Sequence, residues 1–381
     1  MYKKRVRRYF DGIKTSLCPA EICWDDEQIL SIEFLDENAE NIEEGILIPR
    51  LVNAHAHLEL THLKGKLTRE QSFPTWVSEL RTHTQNWALE DYHSGVISGL
   101  NESKKQGIGW VVDTTNQAFI DAQKHKALLS EIHYIPCLEV MGLDPSLACQ
   151  KMESYRSLFQ ESSQNHRSEM AIHAPYSCSK ELMSQVLNEQ SQHHSTQIHM
   201  AESQAEHDLF VQNQGDFTGF LKWIYPDYDF GLWTDGAFEY FQSLNFLYRF
   251  RLVHANFLTI TQLEKVAEQK QSIVICPQSR RFFGHRAFLL KEAIDLGINV
   301  AIGTDSLASA DSLNIWKDLA LLCSEENIDA EFALQMATLN GHRSLGQDHQ
   351  FGRIDVGFKP DFYWVEGVAN VAEAIGVMAR M

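Results

Sequence analysis

Two histidines spaced i, i+2, His55 and His57, close the β-rich apolar run ILIPRLVNAHAH. On a strand such a pair shares one face and can close on a single metal ion. With 17 histidines in the chain, about one His-x-His is expected by chance, so the pair alone carries little weight. Three later strand-like runs add to it: His199 in TQIHMAES, His254 in RLVHANF and Asp305 in VAIGTDS. His55, His57, His199 and Asp305 make an N3O donor set suited to one divalent ion, zinc or ferrous iron, with room for a water. Such an ion brings the pKa of that water toward about 7. Asp305 beside it is then a proton acceptor, and Glu202, three residues beyond His199, is placed to bind a substrate ring nitrogen and carry a proton to the leaving group. His254 is the candidate for fixing the nucleophile and stabilising a developing oxyanion.

Each residue also has an ordinary account. A glutamate after a strand often sits at a helix N-terminus, where the macrodipole favours it. His254 alone fits a hydrogen-bonded core histidine, and Asp305 in GTDS fits a helix cap. Separately these accounts win. Together they do not explain why the polar residues fall at the ends of the first, fifth, sixth and eighth β-rich runs.

Those runs are IPRLVNAHAH, GWVVDTT, HYIPCLEVMG, EMAIHAPYS, TQIHMAES, RLVHANF, SIVICPQS and NVAIGTDS. Amphipathic stretches such as DYHSGVISGLNESKKQG and TITQLEKVAEQK separate them, supplying the crossover helices that parallel strands need. The pattern predicts an α/β chain with a (β/α)8 TIM-type barrel as catalytic domain over residues 50–348. Seven of the runs carry polar residues (His57, Asp113, Glu139, His173, Glu202, His254, Asp305) near their ends, the C-terminal face where barrel enzymes hold their sites. Residues 1–49 and 349–381 read as a small flanking β-domain, a β-sandwich, with FGRIDVGFKPDFYWVE supplying two strands around a glycine turn. The aromatic stretch 205–245 is longer than a minimal βα connection. It reads as helical packing ahead of a lid, and its part 220–242 also as a homodimer surface.

With 381 residues, 44% of them hydrophobic, the chain can bury one barrel-sized core and an appendage. Seven cysteines without CxxC spacing read as reduced thiols, not as a disulfide framework or a Cys-ligated zinc. A net charge of −18 opposes phosphate backbones, and the basic stretch at residues 3–8 is too short to reverse it, so no nucleic-acid partner is expected. No apolar run of about 18 residues occurs and no apolar segment follows MYKKRVRRYF, which predicts a cytoplasmic protein without membrane association, acting on a small molecule.

At these residues the chain resembles the amidohydrolase superfamily, over nearly its whole length. PRLVNAHAH resembles that superfamily's PGLVNAHTH, and GRIDVGFKPDF its GxIxxGxxADL. The resemblance implies that His55, His57, His199 and Asp305 bind one metal, Zn2+ ahead of Fe2+, that Glu202 shuttles the proton and that His254 orients the hydroxide. EMAIHAPYS carries His173 where two-metal members carry a bridging carboxylated lysine, which implies the mononuclear deaminase and chlorohydrolase branch. HAHLELTHLKGK, FPTWV, CPQSRRFFGH and GTDSLAS are similar to the aminodeoxyfutalosine deaminases of menaquinone biosynthesis, which replace the 6-amino group of an adenine by oxygen and release ammonia. By that similarity His173 contacts the nucleoside, and Glu59, Trp76, Arg81 and Ser309 line its pocket. Trp76 reads equally as core, and Arg81 as a surface helix residue. Arg280, followed by Arg281, stands where relatives have Asn in CPxSN, which predicts a differently charged pocket or lid. Four other readings share parts of this pattern: a deaminase of adenosine, methylthioadenosine, S-adenosylhomocysteine or guanine; a chlorohydrolase or aminohydrolase of a triazine-like ring; an amide-ring hydrolase; and a catalytically silent barrel. The HxE and PCxxC architecture of other zinc deaminases is set aside, because His57-Leu58-Glu59 is followed by no PCxxC.

Overall fold

A computed structural model of the chain describes all residues except 117, 118, 122, 164–166, 191–195, 226–235 and 245–249. Strands β1 (Tyr2–Tyr9), β2 (Ala20–Trp24), β3 (Ile29–Phe34) and β4 (Glu43–Pro49) precede the barrel. Its eight strands are β5 (Leu51–Ala56), β6 (Ile108–Thr115), β7 (His133–Val140), β8 (Glu169–Ile172), β9 (Thr196–Met200), β10 (Phe250–His254), β11 (Ser272–Ile275) and β12 (Asn299–Ile302). Strand β13 (Phe362–Glu366) follows. The eight barrel strands are the eight β-rich runs of the sequence. They lie side by side in chain order, each parallel to the next. Strands β5 and β6 are buried along their whole length, the continuous apolar pattern of a parallel sheet covered on both faces.

Inside the barrel, Val52, Ala54, Val112, Ile135, Cys137, Ala171, Val253, Val274 and Ala301 form one apolar cluster. Strict alternation after Ala54 would send His55 outward. It does not, because β5 carries an extra residue there: Asn53 pairs with Val111 and Ala56 with Asp113, three steps against two. Such a bulge re-aims the side chain after it, and His55 joins the interior. The barrel closes at the same place. Thr304 N–H donates to the His55 carbonyl (3.0 Å) and to Asn53 Oδ1 (3.1 Å), and His57 N–H to the Asp305 carbonyl (3.3 Å). Gly303 permits this approach, since a Cβ there would lie 2.7 Å from the His55 carbonyl oxygen.

The strands outside the barrel form one five-stranded sheet, ordered β13-β4-β1-β2-β3, the flanking sheet from both chain ends that the sequence predicts, as a single sheet and not a sandwich. The tail contributes one strand to it, not two. Gly352 and Gly357 hold φ of 84° and 87°, so the chain between them turns, and Gly357 N–H and the Phe358 carbonyl bond only to Ile29 at the sheet's edge. The basic stretch of β1 is matched across strands: Arg5 and Lys3 pair with Glu21 (2.7 and 3.3 Å) and Arg7 with Glu44 (2.7 Å) and Glu37 (3.2 Å). In the aromatic stretch, the helices Asp216–Ile224 and Gly236–Gln242 bury Phe217, Phe238 and Phe241, as packing predicts, while residues 226–235 of it lie outside the described residues. No helix among the described residues is long and apolar enough to cross a membrane.

Candidate metal centre

Four donor atoms converge at the C-terminal face. His199 Nε2 lies 3.3 Å from His55 Nε2 and 3.4 Å from His57 Nε2, and Asp305 Oδ1 lies 3.9 and 3.8 Å from the same two atoms. Three of the donors are aimed by a partner on the other side. His199 Nδ1–H donates to the His173 carbonyl (2.8 Å), which turns the Nε2 lone pair inward. His55 Nδ1 lies 3.3 Å from Gln197 Oε1 and 3.3 Å from Thr114 Oγ1. Asp305 Oδ2 accepts from the hydroxyls of Ser279 (2.6 Å) and Ser309 (2.7 Å), leaving Oδ1 to the centre.

Burial lowers the His55 and His199 imidazoles well below their ordinary range, so both are neutral with free lone pairs. Burial works against ionised Asp305, but His254, His57 and His55 overrule it and hold the carboxyl below its ordinary value. Neutral imidazole and ionised carboxylate are the forms that ligate metals. Two lone pairs at 3.3–3.4 Å repel unless a cation lies between them. A tetrahedral ion with bonds of about 2.1 Å separates its nitrogens by about 3.4 Å. The donor set therefore fits a single divalent metal.

Glu202 and His254 complete the cluster, with His254 Nε2 3.6 Å from Glu202 Oε1. Burial, then the charges of Asp305 and Glu206, push the Glu202 carboxyl well above its usual range. Burial pulls His254 down to about 4. Ala201, His254, Ala255 and Asp305 all adopt left-handed backbone, with φ of 50°, 71°, 57° and 58°. Strain of this kind is kept where surrounding contacts over-determine a site. Here Glu206 supplies some of them: its carboxylate accepts the N–H groups of Ala201 (3.1 Å) and Glu202 (2.8 Å).

The sequence-derived pocket residues divide. The His173 ring stands 5.3 Å from that of His199 and 5.6 Å from Tyr176, with Nδ1 on Ser177 Oγ (2.6 Å), and burial takes it to about 3. Glu59 is buried and accepts from Thr115 Oγ1 and Asn116 Nδ2. Trp76 is buried in the roof with Phe73 and Phe283, and its indole N–H is taken by the Ala308 carbonyl (3.0 Å). Ser309 serves Asp305, so its hydroxyl is a metal-ligand support where a substrate contact was expected. Arg81 is exposed, stacked over Trp223 (5.3 Å) on the outer side of the helix Phe73–Thr84. The expected change of pocket charge at Arg280 is also corrected. Its guanidinium turns away to Glu326 (3.2 Å) and Glu325 (3.5 Å), and Arg281 to Glu325 (3.1 Å).

Sequence reasoning assigned no role to Ser279, Glu206 or Gln197, or to Glu139 beyond its place at a strand end. Glu139 on β7 is buried, with Oε1 3.7 Å from His199 Nδ1. Burial and the charges of Glu59 and Asp305 raise it to about 8. The signal for Glu206 was its spacing, four residues after Glu202 in the first turn of the helix Gln204–Gln212.

The amidohydrolase family model matches residues 46–380. An adenosine deaminase of Helicobacter pylori is 25% identical over 350 residues, 88% of this chain and 82% of that protein. An aminodeoxyfutalosine deaminase of a Nitratiruptor species is 27% identical over 355 residues, covering 88% and 83%. Among solved structures, Helicobacter pylori aminofutalosine deaminase in complex with methylthio-coformycin superposes with a TM-score of 0.84 at 22% identity, covering all of this chain and 96% of that one.

Proposed function

From a chain that belongs to the amidohydrolase family, hydrolases of carbon–nitrogen bonds, we propose a metal-dependent deaminase of an amino-purine nucleoside, with aminodeoxyfutalosine the first candidate substrate. The observation that carries the reading is the convergence of three imidazoles and one carboxylate beside a buried Glu202 whose carboxyl is pushed well above its usual range. The relatives named above supply the substrate class. His55, His57, His199 and Asp305 are the residues that would hold the metal, zinc first by its preference for this donor set. When bound, the ion makes hydroxide available at neutral pH.

The protein's own residues do the rest. Glu202, kept protonated by burial, donates to the purine ring nitrogen next to the amine-bearing carbon, making that carbon electrophilic. Once that proton is given up, Glu202 is a carboxylate that accepts one from the nucleophile and delivers it to the departing amine. His254, 3.6 Å from Glu202, hydrogen-bonds the oxygen that becomes the product's carbonyl. Asp305, with Oδ2 held by Ser279 and Ser309, assists the proton transfer to the amine, and the hydroxide's one proton leaves with the amine as ammonia. The roof of Trp76, Phe73 and Phe283 excludes bulk water. The products are the 6-oxo nucleoside and ammonia.

The experiment is ammonia release by zinc-loaded protein from aminodeoxyfutalosine, adenosine, methylthioadenosine, S-adenosylhomocysteine, guanine and cytosine. Preference for aminodeoxyfutalosine assigns the enzyme to menaquinone synthesis. Preference for another amine keeps the chemistry and rejects the pathway, and silence on all six with metal bound rejects the deaminase.

A further inference from the structure

Among the described residues, Glu139 is a carboxylate of the site with a buried oxygen that no donor reaches. Its Oε1 is buried and accepts no hydrogen bond from any described residue. The nearest candidate, His199 Nδ1 at 3.7 Å, already donates to the His173 carbonyl at 2.8 Å. A buried acceptor without a donor costs about 1–3 kcal/mol, and such groups in native proteins call for an explanation. The other buried carboxylates nearby have one. Glu59 takes Thr115 and Asn116, Asp113 takes Leu58 N–H and the Tyr134 hydroxyl, Glu206 takes two backbone N–H groups, and Asp305 takes two serines.

The Glu139 side chain borders the metal ligands. A Glu139 oxygen and one ring nitrogen each of His57 and His199 lie within 4.8 Å of one another. It reaches the centre from β7, while Glu202 reaches it from the end of β9. Resting on the deaminase reading, we infer that Glu139 is the site's leaving-group selector: its free oxygen accepts an N–H of the amino group attached to the carbon under attack. An amine carries N–H donors in the substrate and as it departs, whereas a halide offers only lone pairs to the same oxygen. The contact does not depend on the charge of Glu139, because both forms of a carboxyl keep an acceptor oxygen. It separates two chemistries that share the metal, Glu202 and His254: loss of ammonia and loss of chloride from the same ring.

The test pairs adenosine with 6-chloropurine riboside, which differ only in the leaving group, and follows kcat/KM for ammonia and chloride release in the wild type, Glu139→Gln and Glu139→Ala. Metal per chain is measured on each protein. The inference expects the amine-to-chloride ratio of kcat/KM to fall at least about tenfold in Glu139→Ala, the size of one lost hydrogen bond to a buried group, with metal content unchanged. Glu139→Gln keeps an acceptor oxygen and so restores much of the ratio. An unchanged ratio in both variants overturns it, as does a fall in both activities in step with lost metal, which makes Glu139 a support of His199 only. A wild type that releases chloride but no ammonia sinks the deaminase reading itself, an outcome distinct from a wild-type deaminase whose selectivity ignores Glu139.

Discussion

At the N-terminal end of the barrel, Trp110 stacks on His133 at 4.0 Å and meets His342 at 5.2 Å, while its indole N–H donates to Asp361. Deeper there, Arg251 on β10 pairs with Glu169 on β8, both buried. At the C-terminal end, the rings of His55, His57, His199 and His254 each stand 4.9–5.5 Å from a neighbour, yet no Lys or Arg among the described residues pairs with Glu139, Glu202 or Asp305 beside them. The two ends use the same residue types. At the lower end, rings stack and each charge meets its opposite. At the upper end, His55, His199 and Asp305 are each anchored on the outer side and their remaining lone pairs point to a common centre. Convergence of unspent lone pairs, more than residue type or burial, marks the site.

The largest effect is expected from removing an upper imidazole. His199→Ala should abolish metal binding and lower activity more than about a thousandfold, whereas His342→Phe should leave metal content unchanged, measured by metal analysis of the purified proteins. If both variants lose metal alike, the two ends do not differ as described. Next comes a break at the lower end. Arg251→Met removes the nearer of two guanidiniums at buried Glu169, leaving Arg167 at 3.6 Å, and should cost about 3 kcal/mol of unfolding free energy, read by denaturant titration. The activity of each folded molecule should be unchanged, so a variant that keeps its stability but loses kcat contradicts the division. Smaller is the loss of an outer anchor. Ser309→Ala removes one of the two hydroxyls on Asp305 Oδ2 and should weaken metal affinity about 10-fold, with little change in the unfolding midpoint. The smallest effect belongs to the solvent-facing pairs of the small sheet. Arg7→Ala removes contacts to Glu44 and Glu37 that water already screens, so neither midpoint nor metal content should shift measurably.

The barrel was legible because parallel strands buried on both faces must be written as short apolar runs, and eight of them stand out. Its donors were legible for a related reason: each stands at or near the end of such a run, as in RLVNAHAH, TQIHM and VAIGTD. What anchors those donors was not. Ser279 and Ser309 reach Asp305 from other segments, and a serine beside a strand end has no signature until the fold brings it close. The bulge that turns His55 inward breaks the alternation from which facing is read. Arg280 was misread because its direction is set by helical phase: on the helix Pro277–Phe283 it faces Glu325 and Glu326, not the centre. The tail failed because its glycines turn the chain where alternation in GRIDV suggests a strand.

The most direct test of the central claim is Glu202→Gln, assayed for ammonia release from the preferred amino-purine nucleoside with metal measured on the same sample. Glu202 touches none of the four donors through a hydrogen bond in the described structure, so the variant should bind one metal per chain as the wild type does. Its kcat should fall about 10^2- to 10^4-fold, the contribution of a positioned proton donor and acceptor. A Glu202→Gln protein that releases ammonia at the wild-type rate with its metal in place would contradict the account.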